Sequence, residues 1–196
     1  MSKGPWEAWF HCMSHTYGSW VRGDPRGWRE RHHRKHVDGD YKNPPAMGSY
    51  EDIYANSKQL MKREPVRLER QLREIALQAV VDCLTGDGVL VLVACLDGIH
   101  LHVLGRFKDL RPRQRLGWAK FAATKKAKEH LNAHRAAVGN SLNLQIGEGI
   151  WGKRSECTPI RDRQHRLNTL NYIAKHRKDG AILWLNPELG KRKLLT

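Results

Sequence analysis

The stretch Val89-Leu90-Val91-Leu92-Val93-Ala94-Cys95-Leu96-Asp97-Gly98-Ile99-His100-Leu101-His102-Val103-Leu104-Gly105-Arg106-Phe107 decides the fold. Two apolar runs, Val89 to Cys95 and Ile99 to Phe107, flank Leu96-Asp97-Gly98, a pattern that predicts two strands joined by a tight turn. Side chains alternate along a strand, so His100 and His102 project together while Ile99, Leu101 and Val103 point into the core. Two imidazoles on one face suit a divalent metal. The same pair also fits plain strand histidines with no ligand.

Working outward, the residues after Pro65 place Leu68, Leu72, Ile75, Ala76, Ala79 and Val80 at helical spacing until Thr85-Gly86-Asp87-Gly88 breaks the run. Beyond the hairpin, Arg111 to about His134 predicts a second helix with Leu116, Ala119, Ala123, Ala127 and Leu131 inward. Gly139 to Gly149 reads as a loop and Ile150 to Thr158 as a strand. Arg161 to Arg177 reads as a third helix stopped by Asp179-Gly180, and Ala181 to Leu185 as a short strand. Trp9 to Tyr17 supplies the first strand. The order predicts an α+β sandwich, a mainly antiparallel sheet with helices packed on one face. The chain reads as a single domain, 1–196, with an insertion at about 18–56 and a basic tail at about 186–196 carrying Lys191-Arg192-Lys193.

That insertion, Gly18 to Asn56, reads as long and irregular, punctuated by Gly-Asp-Pro-Arg-Gly at 23–27 and Asn-Pro-Pro at 43–45. Its arginines with Trp20, Trp28 and Tyr41 suit a nucleic-acid backbone with stacked bases, or a solvated insert. The cations around His32, His33 and His36 favour phosphate contact or solvation over a metal.

The 196 residues hold 35 Lys+Arg against 20 Asp+Glu, a balance of +15 that makes a polyanion the first partner to consider. Between Arg106 and Arg135 ten basic residues face only Asp109 and Glu129, so 10 − 2 gives +8 in that segment. The candidates for gripping a phosphate backbone are Arg106, Arg111, Arg113, Arg115, Lys120, Lys125, Lys126, Lys153 and Arg154. Trp118 and Trp151 are candidate stacking surfaces, and Trp151 reads equally as buried. At 40% hydrophobic the chain is not wholly disordered, and no apolar run is long enough to span a bilayer. Met1 to Trp6 lacks an apolar leader core, so an intracellular protein without a membrane partner is expected. Cys12, Cys83, Cys95 and Cys157 are scattered with no CxxC pair, which fits a reducing compartment and disfavours zinc.

On the third helix, Tyr172 and His176 stand one turn apart and share a face, with Leu167, Leu170 and Ala174 on the opposite side. A phenol beside an imidazole is a candidate nucleophile next to a ligand or base, although such pairs also occur on ordinary helix surfaces. Taken together, His100-Leu101-His102 on a strand and Tyr172-x-x-x-His176 on a late helix resemble the HUH single-tyrosine transposases, including the REP-associated tyrosine transposases. Gly149-Ile150-Trp151-Gly152-Lys153-Arg154 is similar to that family's tryptophan-bearing strand. Pro159-Ile160-Arg161-Asp162 leading to Leu170-Asn171-Tyr172-Ile173 is similar to the entry into its tyrosine helix. The resemblance covers roughly 9–18 and 60–185. In that family the position four after the tyrosine more often holds Gln or Asn, so His176 is a departure.

The resemblance implies an HUH endonuclease fold of the ferredoxin/RRM-like type. It implies a divalent ion, Mg or Mn, on His100, His102 and His176, and attack by Tyr172 on a DNA phosphodiester to give a 5′-phosphotyrosine and a free 3′-hydroxyl. Single-stranded or hairpin DNA would be the partner. The protein would act as a monomer or homodimer in the bacterial cytoplasm, at the nucleoid. Consistent with a bond energy kept in the tyrosyl ester, no G-x-x-x-x-G-K-[ST] phosphate loop is present. Two other readings stay open: an inactive or domesticated nucleic-acid-binding relative, and an RNA-binding or RNA-cleaving protein on a similar sandwich, which leaves Tyr172 without a role.

Overall fold

In the computed structural model the hairpin forms as the sequence predicts, with β2 (Leu90–Leu96) antiparallel to β3 (His100–Arg106) and Leu96 opposite Leu101. Asp97 builds the turn, because its carboxylate accepts the backbone N–H groups of Ile99 at 2.6 Å and His100 at 2.5 Å. The structure describes residues 6–29, 34–39, 43–138 and 149–190, without the side chains of 134–138 and 189–190. The predicted loop at 139–148, the tail residues Lys191 to Lys193, His32, His33 and Tyr41 lie outside the described residues.

The chain also forms β1 (Trp9–Thr16), β4 (Trp151–Pro159) and β5 (Ile182–Leu185). Its helices are α1 (Glu51–Gln59), α2 (Arg70–Gly86), α3 (Pro112–Val138) and α4 (Arg163–Lys175), the last followed by a 3-10 turn at His176–Asp179. The five strands lie in the order β4-β1-β3-β2-β5, with every neighbouring pair antiparallel. β1-α2-β2-β3-α3-β4 is a split βαβ arrangement, to which α4 and β5 are appended. The fold is α+β.

Strand alternation divides the sheet into two faces. Ser14, Cys12, Leu101 and Val103 share one face, where Lys120 of α3 donates to Ser155 Oγ and Ser155 donates to Ser14 Oγ. α2 packs along α3 and buries Leu72, Ala76, Val80 and Leu84. On the other face Trp9, Leu92, Val93, Cys95 and Leu104 form a second core with Ile173 of α4 and with Ile160 and Ala181. The expectation of helices on one face therefore holds for α2 and α3, whereas α4 lies on the opposite face. The apolar residues of α4 show that it packs on something, but periodicity carries no information about which side of the sheet it reaches.

The buried stripe of α4 is also turned from the sequence reading: Arg166, Thr169 and Ile173 are buried, while Leu167, Leu170 and Ala174 are only half-buried. Arg166 is covered by Trp6 and Trp9, whose rings lie 4.8 and 5.0 Å from its guanidinium carbon. Gly180, at φ +81°, ends the turn after α4 in a left-handed conformation that favours glycine.

Residues 17–66 form one compact unit and residues 1–16 with 67–196 another. The smaller unit is not irregular throughout, since α1 begins inside the stretch read as a loop. It has an anchor of its own: the buried carboxylate of Asp24 accepts the backbone N–H and Nε of Arg26, at 3.0 and 2.9 Å.

Candidate active site on the open face of the sheet

The face that receives α4 is rich in imidazoles. Along β1 the alternation puts Trp9, His11, Met13 and His15 on it, opposite Arg106, Leu104, His102 and His100 of β3 respectively. His11 reaches diagonally to His102, and its Nε2 lies 3.1 Å from His102 Nδ1. α4 completes the cluster from above. The Tyr172 ring stands 5.6 Å from His102, 6.1 Å from His11 and 4.9 Å from His176, edge-on to each. His176 stacks on His102 with centroids 4.9 Å apart and planes 19° from parallel. Three of the four residues proposed for chemistry are thus brought together: His102, Tyr172 and His176.

His100 is held elsewhere. Its Nδ1 lies 3.1 Å from Asp97 Oδ2, and its ring meets the edge of His15 at 4.9 Å. Among the described residues no three His, Cys, Asp or Glu side chains form a group that could hold a metal ion. The donor chemistry suits a metal, and His176 Nε2 is buried without a hydrogen-bond partner among the described residues. The placement does not suit one, because His176 and His102 lie ring over ring and His100 is drawn toward the turn. As arranged, the predicted trio does not fit a three-ligand site.

Burial sets the protonation of the pair in the sheet. His102, 7% exposed, is held neutral with its pKa lowered to about 3 by burial first and then by His11, His176 and His100 as potential like charges. His11 is lowered to about 4 by burial, then by His165 and His176. One ring of the 3.1 Å pair therefore donates to the other as a neutral imidazole. Burial pushes Asp97 the other way, but the His100 ring and the N–H groups of Ile99 and His100 outweigh it and hold the carboxyl well below the usual range. Tyr172 is 50% exposed, so the phenol edge is open to a large substrate.

The proposed cations separate into two kinds. Arg106 is exposed at the end of β3 on the histidine face. Arg111 and Arg113 are exposed at the start of α3, Lys125 and Lys126 further along it, and Lys153 and Arg154 on β4. Two candidates are engaged within the protein. Lys120 is 8% exposed, and its ammonium donates to Gly152 O at 2.9 Å and Ser155 Oγ at 3.1 Å, with its pKa lowered by burial. It braces α3 against β4. Arg115 is paired with Asp87 at 3.1 Å and Asp109 at 2.8 Å, so its charge is already matched. Trp151 donates Nε1 to Lys120 O at 2.9 Å and is half-buried, whereas Trp118 is 48% exposed beneath the Arg115 guanidinium.

Sequence reasoning missed His11. Its signal was present, because the first strand alternates Trp9, His11, Met13, His15 just as the third alternates His100, His102. What was absent was the pairing of β1 with β3.

No protein-family model matches the chain, nor does any curated protein. Among solved structures the chain is similar to a REP-associated tyrosine transposase bound to a REP hairpin, at 11% identity and a TM-score of 0.40, covering 92% of this chain and 75% of that one. So loose a superposition leaves the chemistry of the site to the residues themselves. No helix among the described residues is long and apolar enough to cross a membrane.

Proposed function

We propose that the chain cuts and rejoins single-stranded or hairpin-bearing DNA, with Tyr172 as the nucleophile. One observation carries the reading: a half-exposed phenol on α4 is ringed by His11, His102 and His176 at the sheet face that α4 covers. The Tyr172 oxygen attacks phosphorus, and its proton passes to His176 Nε2, the buried nitrogen with no other partner. The bond from phosphorus to the 3′-oxygen breaks, and that oxygen takes up a proton and leaves as a hydroxyl. The 5′-phosphate stays on the tyrosine. Attack by another 3′-hydroxyl reverses the step and joins the strands.

His11 and His102, with pKa values near 4 and 3, are poor bases toward a phenol of pKa about 10. Their part is positional: the His11 hydrogen bond occupies Nδ1 of His102 and leaves its Nε2 side for the substrate. The exposed cations supply the grip. Arg113 stands exposed in the first turn of α3, where its charge opposes the helix dipole and a bound anion would be favoured. Because the three ligand candidates do not converge, no step here is routed through an ion.

The test is to incubate the protein with a labelled hairpin-bearing single strand, with and without manganese, and look for a covalent adduct on denaturing gels. Wild type is expected to form it, and Tyr172→Phe to lose it while keeping affinity within about twofold. An adduct formed by Tyr172→Phe would overturn the assignment. A second reading, a module that grips nucleic acid without cutting, is favoured by the lack of a three-donor group among the described residues. Tight binding with no wild-type adduct under any metal would select it.

A further inference from the structure

On the side of the sheet away from Tyr172, α3 and the start of β4 enclose a groove of about 520 Å³. Its floor is braced, because Lys120 is bonded to Gly152 and Ser155, and Trp151 to the Lys120 carbonyl. On its rim stands Phe121, 75% exposed, in the middle of a highly charged helix. An isolated exposed apolar residue needs no explanation. Phe121 is not isolated in that sense: Trp118 lies one turn before it on the same stripe, and the Trp118 ring is already covered by Arg115 at 4.9 Å. Phe121 is left as the open ring. Lys125 and Lys128 line the same groove, while the carboxylate of Glu129 is taken by Lys126 at 2.9 Å. Among the described residues neither Lys125 nor Lys128 forms an ion pair, although Lys125 helps Lys126 hold the Glu129 carboxyl low.

We infer that this groove is a second nucleic-acid site, in which an unpaired base stacks on Phe121 and its flanking phosphates meet Lys125 and Lys128. An aromatic face followed along the helix by two cations without ion pairs, over a hydrogen-bonded floor, complements a single strand, which offers a flat ring and an anion at each step. A duplex keeps its bases stacked inside and has only the phosphates to offer. The inference rests on the proposal above for the choice of a polynucleotide, and not on the chemistry at Tyr172.

The test uses the full chain and a fluorescent thymidine 20-mer, read by anisotropy beside a duplex of equal length. Phe121→Ala removes an exposed ring, so its melting temperature is expected to equal that of wild type. Its affinity for the single strand is expected to fall roughly 5- to 100-fold, while duplex affinity is unchanged and Phe121→Trp binds like wild type. Lys125→Ala is expected to reduce the slope of log affinity against log salt by about 0.7. Single-strand affinity of Phe121→Ala within twofold of wild type would overturn the inference. So would a lowered melting temperature with both affinities intact, which would mean that the chain's own segment packs on the ring. A wild-type dimer that Phe121→Ala dissociates would overturn it too, assigning the groove to a second copy. Loss of the Phe121 effect with the Tyr172 adduct intact removes only this inference. The Phe121 effect without any adduct removes only the strand-cutting proposal.

Discussion

Acid should loosen this protein through one identifiable pair. His11 and His102 are held neutral in the fold, at about 4 and 3, whereas in the unfolded chain each titrates near 6.5. A group whose folded pKa is depressed contributes stability that is complete above its unfolded value and is lost as pH falls toward its folded value. The loss therefore begins below about pH 6.5 and continues toward pH 4. Between pH 7 and 5 each ring that ionises only in the unfolded chain removes about 1.5–2 kcal/mol, or about 3–4 kcal/mol for the pair. That is a large part of the 5–15 kcal/mol expected in total. Asp97, whose carboxyl is held below its usual range, keeps its contribution above about pH 4 and adds nothing to the change in this window.

The measurement is urea denaturation at pH 7, 6 and 5 for wild type and for the double variant His11→Asn, His102→Asn. Asparagine keeps a polar group at each position and removes the titration. Wild type is expected to lose about 3–4 kcal/mol more than the variant across the window, whatever their difference at pH 7. Equal losses in both proteins would refute the reasoning, because the pair would then be charged in the fold or exposed. A wild-type stability that rises on acidification would mean that these imidazoles gain an anionic partner when protonated.

Three further outcomes follow from the same geometry. Lys120→Met keeps the aliphatic stem but strips two hydrogen bonds, so it is expected to cost about 1–3 kcal/mol in thermal or urea melts while leaving the salt dependence of DNA binding unchanged. A flatter salt slope would restore Lys120 as a phosphate contact. His11→Phe keeps a ring against Tyr172 but frees His102 Nδ1, and adduct formation is expected to slow roughly 10-fold with DNA affinity unaltered. An unchanged rate would deny His11 its positioning role. Because His100 is drawn to Asp97, 10 mM magnesium is expected to stabilise the free protein by less than about 0.5 kcal/mol in calorimetry. A larger effect that His100→Ala abolishes would show that the three rings do converge.

Much of this architecture is written locally. The hairpin was legible because Asp97-Gly98 sits between two apolar runs, and its side chain satisfies the two N–H groups the turn exposes. The facing of His100 and His102 followed from a period of two, and that of Tyr172 and His176 from a turn of 3.6. What no local period contains is which strand lies beside which. His11 becomes part of the site only because β1 inserts next to β3 in a register that sets it opposite Leu104, and a slip of two residues would bring it diagonal to His100 instead of His102. The ligand trio is held apart on the same ground: alternation along β3 and the turn of α4 set three imidazoles on one face, yet an acceptor three residues before His100, Asp97, draws that ring aside.

The basic run shows why counting charge is a weaker guide than asking what each charge faces. Lys120 and Lys125 lie five residues apart on one helix, and in sequence they are indistinguishable. Five residues is about 500° of helical rotation, so the two project about 140° apart. Lys120 falls on the seam with β4, where a carbonyl and a hydroxyl wait for its ammonium; Lys125 falls on the open side, beside a bare phenylalanine ring. The first charge is consumed in making the protein; the second forms no ion pair in the described structure and only adds to the field that Lys126 sets at Glu129. A cation costs desolvation and side-chain freedom only when it is paired, so unmatched ones accumulate cheaply where an anionic partner is to arrive. On that reasoning the useful part of the net charge is not its size. It is the subset that forms no ion pair after folding, of which Lys125 and Lys128 stand in the groove that holds the open Phe121 ring.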